Sequence, residues 1–297
     1  MSSPGRDEAA SRVNPYVQML GASLSFSFMA AGVHALGQEL HWSVVTFCRM
    51  AFGVVLLYAI ARARGVPILF TGPPALWIRA IAGSAGMIGN FYALTRLPVS
   101  DALAIFHTVP IWVAVIRKFV FKESLTSLQW LCVFGAVGGV FVSQEFSLDL
   151  IESGAFSALL GAVFTAFAFI SMSFLGGYHP QSVTMHFSFF ASLVALGAIL
   201  INRPETAAIL PSNAFQGTGL IAVAAFGSLA QVLMTSAMAR GHNVTVSVIG
   251  LTQILFAAIF DLTVWHRTFS PTKLLGFALI AICVVLLTTH RPAAAKR

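Results

Sequence analysis

Long apolar stretches recur along the whole chain, and they restrict its fold more than any other feature of the sequence. A transmembrane helix needs about 20 mostly apolar residues to cross the hydrocarbon core of a bilayer. Proline, glycine and charged residues divide the chain into ten stretches of this kind. Their approximate bounds are 16–36, 42–61, 75–95, 98–116, 126–143, 153–175, 181–201, 215–238, 243–262 and 272–290. The sequence therefore predicts an all-α integral membrane protein with ten transmembrane helices.

The composition supports this prediction. Of the 297 residues, 58% are hydrophobic and 9% are charged, whereas a soluble domain has about 25% charged residues. A net charge of +7 could attract nucleic acid, but the cations lie between the spans, where membrane insertion places them. We therefore expect no nucleic-acid partner. We also expect free thiols and no metal site, because Cys48, Cys132 and Cys283 lie in different spans without metal-ligand spacing.

The distribution of lysine and arginine predicts the orientation, because cytoplasmic loops retain these residues. With the N-terminus inside, the inner segments hold twelve of the seventeen and the outer segments hold four. The inner set is Arg6, Arg12, Arg62, Arg64, Arg79, Arg117, Lys118, Lys122, Arg240, Arg291, Lys296 and Arg297, and the outer set is Arg96, Arg203, Arg267 and Lys273. We expect a multi-pass membrane protein. Its tails, residues 1–15 and 291–297, are predicted to be cytoplasmic, with no cleavable signal peptide.

An internal repeat is visible when the chain is shifted against itself by 144 residues. The stretch "GSAGMIGNFYALTRLPVSDALAIFHTVPIWVAV" then aligns without a gap with "GSLAQVLMTSAMARGHNVTVSVIGLTQILFAAI", and the breaks between spans coincide. We predict two repeats, residues 16–145 and 153–290. Because each repeat has an odd number of spans, the second must be inverted in the membrane. Inverted repeats are typical of secondary transporters, whose substrate binds near the midplane between the two copies.

Two stretches of the first copy resemble a known family. They are "FYALTRLPVSDALAIFHTVPIWVAVIRKFVFKESLTSLQWLCVFGAVGGVFV" and the arginine-bearing "TFCRMAFGVVLL". Both are similar to the first repeat of the EamA family of the drug/metabolite transporter superfamily. The resemblance implies ten helices, cytoplasmic termini, and export or exchange of small metabolites across the inner membrane.

The sequence departs from the pattern of that family at two places. The usual Gly-Glu before the fifth span is Lys122-Glu123 here, and the matching place in the second copy, His266-Arg267, has no carboxylate. We therefore assign no role to a glutamate of the second copy. Members of the family carry amino acids, nucleosides, vitamins or cofactors, so the resemblance does not name a substrate.

Arg49 is the main candidate for a substrate-binding residue. It lies about seven residues, or ~10 Å, inside the outer end of the predicted second span. A charged side chain at this depth usually faces an interior cavity or a partner. One hypothesis is that its guanidinium binds a carboxylate or phosphate of the substrate, because its fork of donors fits such groups. The alternatives are snorkelling to the outer interface and a structural pair with Asp101.

Asp101 and His107 of the predicted fourth span are candidates for coupling to a proton or cation. A histidine can carry protons in the physiological pH range, and His107 lies close to the middle of its span. The alternative for Asp101 is a solvated residue or a helix cap. The alternative for His107, as for His34 and His186, is a hydrogen-bonded residue between helices.

Further polar residues could line a central cavity together with Arg49. They come from both copies, and they are Asn90, Tyr92, His107, Thr108, Gln231, Thr252 and Gln253. Pro110 predicts a break in the fourth span, which is tolerated where a cavity or a side chain satisfies the freed carbonyl. The alternative for the polar set is hydrogen bonding between helices, which explains many such residues in membranes.

The sequence carries no pattern that indicates an enzyme. It has no zinc-protease motif, no phosphate-binding glycine loop and no pair of intramembrane aspartates. We therefore predict a secondary-active exporter or exchanger, without a cofactor, that moves a small polar or amphipathic metabolite, such as an amino acid or a related zwitterion or anion, by alternating access. It could be a monomer or a homodimer. The alternative is a membrane sensor or scaffold that does not transport.

Overall fold

The computed structural model describes residues 13–36, 40–94, 97, 99–145, 153–202, 211, 213–264, 266 and 268–289. Within these ranges the chain forms twelve helices. They are α1 (Pro15–Leu36), α2 (Trp42–Arg64), α3 (Pro74–Leu94), α4 (Val99–Phe106), α5 (Val109–Phe119), α6 (Ser127–Ser143), α7 (Ser153–Ser173), α8 (Pro180–Asn202), α9 (Ala214–Arg240), α10 (Asn243–Gly250), α11 (Thr252–Thr263) and α12 (Pro271–Thr289).

These twelve helices form the ten predicted segments, because α4 with α5 and α10 with α11 each make one interrupted span. Eight segments are long and apolar enough to cross a membrane, and the other two are α3 and the shorter apolar helix α6. No end of a predicted span differs from its helix by more than three residues. The predicted all-α membrane fold with ten segments is confirmed.

The last part of each copy, α4 to α6 and α10 to α12, has matching helix boundaries at the shift of 144 residues that aligns the two sequences. Helices α4 and α10 correspond at both termini. Helices α5 and α11 correspond at their C-terminal ends, and α6 and α12 correspond at their first residues. Lys122 and His266 also correspond, and both adopt a left-handed backbone, with φ of 56° and 50°. Because each copy crosses the membrane five times, the second copy is inverted relative to the first.

The interruption in the first copy follows from Pro110. Proline has no backbone N–H and disfavours the helix before it, and α4 ends at Phe106 while α5 begins at Val109. The hydroxyl of Thr108 donates to the carbonyl of Ile105 at 2.7 Å. This bond satisfies one of the carbonyls at the end of α4.

The interruption in the second copy has no proline, and α1 contributes to it. Thr252 repeats the bond of the first copy by donating to the carbonyl of Ile249 at 2.7 Å. Two serines of α1 bond to further carbonyls at this place: Ser23 donates to Gly250 at 3.4 Å, and Ser27 donates to Gln253 at 2.9 Å. The second interruption is therefore stabilised by contacts with the first copy.

Helices of the two copies pack directly against each other. Helix α3 packs on α7 at Gly86, Gly89 and Gly161, and α6 packs on α12 where Gly139 meets Gly276. Helix α9 lies against α1 and α2 of the first copy and also against α8 of its own. The face of α9 toward α2 and α3 is therefore part of the interface between the copies.

Candidate functional site

Two arginines lie inside the membrane-spanning region of the described chain, Arg49 on α2 and Arg79 on α3. Arg79 is only 2% exposed, and Arg49 is partly buried. The assignment of Arg79 to the loop cations of the inner side is wrong. Helix α3 already begins at Pro74, so Arg79 lies more than one turn inside it. Without Arg79 the inner side still has eleven lysines and arginines to four, so the predicted orientation is unchanged.

Arg79 is held by residues of the second copy. Its Nη2 donates to Oε1 of Gln231 on α9 at 2.8 Å, and its Cζ lies 3.8 Å from the ring centroid of Phe187 on α8. Its Nε is buried and has no hydrogen-bond partner in the described part of the chain. A Cβ at Gly83 would collide with Nη1 of Arg79 and lie 2.8 Å from Cε2 of Phe187. Glycine at 83 therefore leaves the space that the guanidinium occupies.

Arg49 also lies against α9. A Cβ at Gly227 would be 2.8 Å from Nε of Arg49 and 3.0 Å from Sδ of Met29 on α1. Within the described ranges Arg49 has no hydrogen bond or ion pair, and its side chain is only partly buried. Its donors are therefore available to a ligand.

The two guanidinium groups lie close together between the copies. Their contacts on α9, Gly227 and Gln231, are four residues apart and so face the same side, about 6 Å from each other along the helix. Gly227 is the midpoint of α9, which runs from Ala214 to Arg240. The positive charge of Arg49 also repels the positive charge of Arg79. This constellation, which we call the arginine site, consists of Arg49, Arg79, Phe187, Gly227 and Gln231.

No carboxylate of the described residues balances the arginine site. The described ion pairs join Arg117 to Glu123 at 2.6 Å and Lys273 to Glu145 at 3.9 Å, and neither involves Arg49 or Arg79. The predicted pair of Arg49 with Asp101 stays untested, since the side chain of Asp101 lies outside the described residues. The hydrogen-bond acceptor of Arg79 is the neutral amide of Gln231, and the other neighbour of Arg79 is the aromatic ring of Phe187. The described surroundings are therefore neutral, and the two arginines leave the site strongly positive.

Gln231 is the one predicted candidate besides Arg49 that belongs to the arginine site. His107 bonds to the carbonyl of Leu103 at 2.7 Å, and Thr108 accepts a bond from Nε1 of Trp112 at 3.2 Å. Both contacts stay within the interrupted fourth segment, beside Pro110. Neither residue bonds to an arginine of the site in the described structure. A role for His107 in coupling stays a prediction.

The remaining candidates occupy other interfaces. Asn90 lies where α3 crosses α7, with its Oδ1 buried and lacking a hydrogen-bond partner among the described residues. Tyr92 is 40% exposed. Thr252 and the backbone of Gln253 bond at the second interruption. The structure does not join these four residues to the arginine site by any described hydrogen bond.

No described hydrogen bond joins the other histidines and the cysteines named from the sequence to the arginine site. The buried His186 packs edge-on against Trp77 with ring centroids 5.1 Å apart, and the side chain of His34 lies outside the described residues. Cys48, Cys132 and Cys283 are free thiols. The described residues contain no cluster of ligands for a metal ion.

A second polar cluster ties the copies together at the predicted cytoplasmic end. Arg117 at the end of α5 donates to Glu123 at 2.6 Å, to Ser173 of α7 at 2.9 Å, and to Asn243 at the start of α10. Nearby, Arg240 of α9 donates to Gln18 of α1 at 2.5 Å. These bonds close this end of the interface between the copies.

Sequence reasoning found Arg49 and Gln231 but missed Arg79 and Phe187. Arg79 was within the predicted span 75–95, so a count of charges inside spans rather than between them would have found it. Phe187 gave no signal, because it is one of 26 phenylalanines in the chain. Its role follows only from its position under the guanidinium.

Both halves of the chain match one family. Residues 14–143 and residues 152–289 each match the EamA-like transporter family. A solved crystal structure is similar over 93% of this chain and 97% of its own, with a TM-score of 0.82 and 17% sequence identity. At that identity the similarity shows the fold alone.

Characterised relatives carry different molecules. The chain is 26% identical to a pseudopaline exporter of Pseudomonas aeruginosa over 273 residues, which is 91% of this chain and 94% of the relative. It is 21% identical to a riboflavin transporter of Brucella anthropi over 196 residues, covering 65% of this chain and 69% of the relative.

Proposed function

Because the chain belongs to the EamA-like transporter family, we propose that it exports or exchanges a small metabolite with an acidic group across the inner membrane. Arg49 and Arg79 bind that acidic group, and the two copies rock against each other to expose the site alternately to either side. The chain is a membrane transporter and not an enzyme. The chemistry of its substrate and the alternating mechanism are our proposals.

One observation carries this proposal, the arginine site. Charged side chains within a membrane are costly, and they usually mark the path of a substrate or ion. A guanidinium presents a planar fork of donors that matches a carboxylate or a phosphate. Arg49 and Arg79 come from the first copy, while Phe187, Gly227 and Gln231 come from the second. A ligand bound here would contact both halves, as expected for a transporter with inverted repeats.

Further features support alternating access. The bonds of Arg117 and Arg240 join the two copies at the predicted cytoplasmic end. Opening of the site to that side requires these bonds to break. The interruptions between α4 and α5 and between α10 and α11 are places where the helices can bend. Asp101 and His107 remain candidates for coupling to a proton or cation.

The pseudopaline exporter supports export, but the relatives do not support a particular substrate. The pseudopaline exporter covers nearly the whole chain, whereas the riboflavin transporter is more distant and carries a different molecule. We propose export as the direction. We also propose repeats at 16–145 and 153–290 and both termini in the cytoplasm.

A thermal-shift screen followed by a flux assay tests this function. The purified protein is screened against organic acids, amino acids, nucleosides, vitamins and amines, and each ligand that stabilises it is assayed for transport in proteoliposomes. We expect saturable stabilisation by compounds with an acidic group and flux of the same compounds. Arg49→Ala should weaken both, and Arg49→Lys should restore them only in part. Arg64→Ala at the exposed end of α2 is the matched control.

Two outcomes count against the proposal. Equal stabilisation of the wild type and of Arg49→Ala would remove Arg49 from the site. Arginine-dependent binding without flux would favour the alternative, a membrane sensor or scaffold that does not transport.

A further inference from the structure

We infer that the arginine site is built for a small organic dianion, with two carboxylates on a short chain, rather than for a zwitterionic amino acid. This inference rests on the proposed function, since it narrows the substrate of the same site. It follows from the charge of the site, from its supply of hydrogen-bond acceptors and from the spacing of its donors.

The charge of the site is the first argument. Arg79 is buried and Arg49 is partly buried, both against α9, and no carboxylate within the described ranges contacts either of them. Arginine keeps its proton even when it is buried. Two like charges in a medium of low dielectric repel each other strongly. A ligand with one negative charge leaves one of them uncompensated, whereas a dianion neutralises both.

The acceptors of the site are the second argument. The ammonium of a zwitterion donates three hydrogen bonds and needs acceptors or a negative charge. Oε1 of Gln231 already accepts the bond from Arg79 at 2.8 Å. The other described members of the site are the Phe187 ring, which lies under the guanidinium of Arg79, and the side-chain-free Gly227. An ammonium placed here would meet two guanidiniums, and the members of the site offer it only the second lone pair of Oε1 of Gln231 as a side-chain acceptor.

The donors of the site are the third argument. Arg49 has no hydrogen bond to a described residue, and Nε of Arg79 is fully buried without a partner in the described structure. Unsatisfied buried donors are costly unless a ligand or water accepts from them. The two arginines contact α9 one helical turn apart, about 6 Å. Two carboxylates separated by a short chain can each reach one guanidinium at this spacing.

Four-carbon compounds with different charges provide the test. Succinate is the dianion, butyrate the monoanion and 4-aminobutyrate the zwitterion, and sulfate is an inorganic dianion. Thermal unfolding of the purified wild-type protein is followed in detergent at neutral pH and at constant ionic strength, with increasing concentrations of each. Glutarate and adipate extend the chain length between the carboxylates.

We expect succinate or glutarate to stabilise the protein saturably, and butyrate and 4-aminobutyrate to bind about tenfold more weakly or worse, because each lacks one charge-assisted contact. Arg49→Gln and Arg79→Gln should each abolish the preference for the dianion over butyrate. Arg49→Lys and Arg79→Lys keep the charge and should retain part of the preference for the dianion. They replace a glutamine variant in the test if that variant does not fold. Arg64→Gln removes an arginine outside the site and should behave as the wild type does.

Three results would overturn the inference. They are binding of 4-aminobutyrate or butyrate as tight as that of the dicarboxylates, stabilisation by sulfate equal to that by succinate, and absence of stabilisation by any dicarboxylate.

Flux measurements separate this inference from the proposed function. Arginine-dependent flux of a zwitterion leaves transport intact and rejects the dianion, whereas preferential binding of a dicarboxylate that is not transported leaves the dianion site intact and rejects transport.

Discussion

Arg79 on α3 donates a hydrogen bond of 2.8 Å to Gln231 on α9, which joins two residues 152 positions apart in the chain. The bond connects the first copy of the repeat to the second. It holds one of two arginines whose charge no described carboxylate balances. One interface therefore combines a hydrogen bond between the copies with a positively charged site, which we propose binds a ligand.

Replacement of Gln231 by leucine should destabilise the protein. It leaves the buried guanidinium of Arg79 without its amide acceptor, and a buried donor left without a partner costs about 1–3 kcal/mol. We expect a lower midpoint of thermal unfolding for Gln231→Leu in detergent. Thr218→Val, at an exposed position of the same helix, is the control. An unchanged midpoint for Gln231→Leu would show that the bond contributes nothing to stability.

Replacement of Gly227 by alanine should weaken ligand binding more than it weakens the fold. The new Cβ would lie 2.8 Å from Nε of Arg49, so the guanidinium must move away from α9. Gly217→Ala is a matched control on the same helix, because no atom lies within 4 Å of a Cβ at that position. We expect a loss of affinity for the ligand in Gly227→Ala alone, measured by ligand-dependent thermal shift. Equal affinities in both variants would exclude Arg49 from the binding contacts.

Replacement of Gly276 by alanine should destabilise the packing of α6 on α12. A Cβ there would lie 2.5 Å from the carbonyl oxygen of Gly139 and 2.7 Å from Cβ of Ser143, so the two helices must separate. Forcing extra atoms into a packed interface costs about 1–3 kcal/mol. Gly138→Ala on α6 is the control, since a Cβ there meets no atom within 4 Å. We expect a lower unfolding midpoint for Gly276→Ala only, and equal midpoints would contradict the close contact.

His242, between α9 and α10, should make stability depend on pH. Burial lowers its pKa below the ordinary value of 6.5, with Glu123 opposing the shift and Arg117 adding to it. Below pH 6.5 the unfolded chain therefore binds a proton that the folded protein does not, so the free energy of unfolding falls as the pH falls. His242→Asn should lose less stability between pH 7.5 and 5.5 than the wild type. His266→Asn, at an exposed histidine, is the control, and identical pH profiles for all three proteins would reject this prediction.

The helices were predictable from sequence because the bilayer sets their length and because proline, glycine and charge mark their ends. Pro110 predicted the interruption between α4 and α5. The matching interruption between α10 and α11 has no proline, and it depends on Ser23 and Ser27 of α1, more than 220 positions away. Contacts over such distances along the chain have no local signature.

The candidate site was only partly predictable, because its members come from helices that are distant in the chain. Arg49 is an isolated charge in an apolar stretch of the sequence. Arg79 lies near the end of a predicted span, where a charged residue is typical of a loop. Its burial depends on Gly83, which leaves room for the guanidinium, and on Phe187 and Gln231 of the second copy. His107 and Thr108 bond within their own segment, and their place in a cavity stays a prediction. Polarity in a span alone does not tell which neighbour a side chain meets.

We propose that Arg49 and Arg79 bind one acidic ligand together. The most direct measurement is the affinity of the best ligand from the screen for the wild type, for Arg49→Gln, for Arg79→Gln and for the double variant. We predict that each single variant loses about tenfold or more in affinity, and that the double variant loses less than the sum, with a coupling of about 0.5–3 kcal/mol. Unchanged affinity in either single variant, or strictly additive losses, would contradict a shared site.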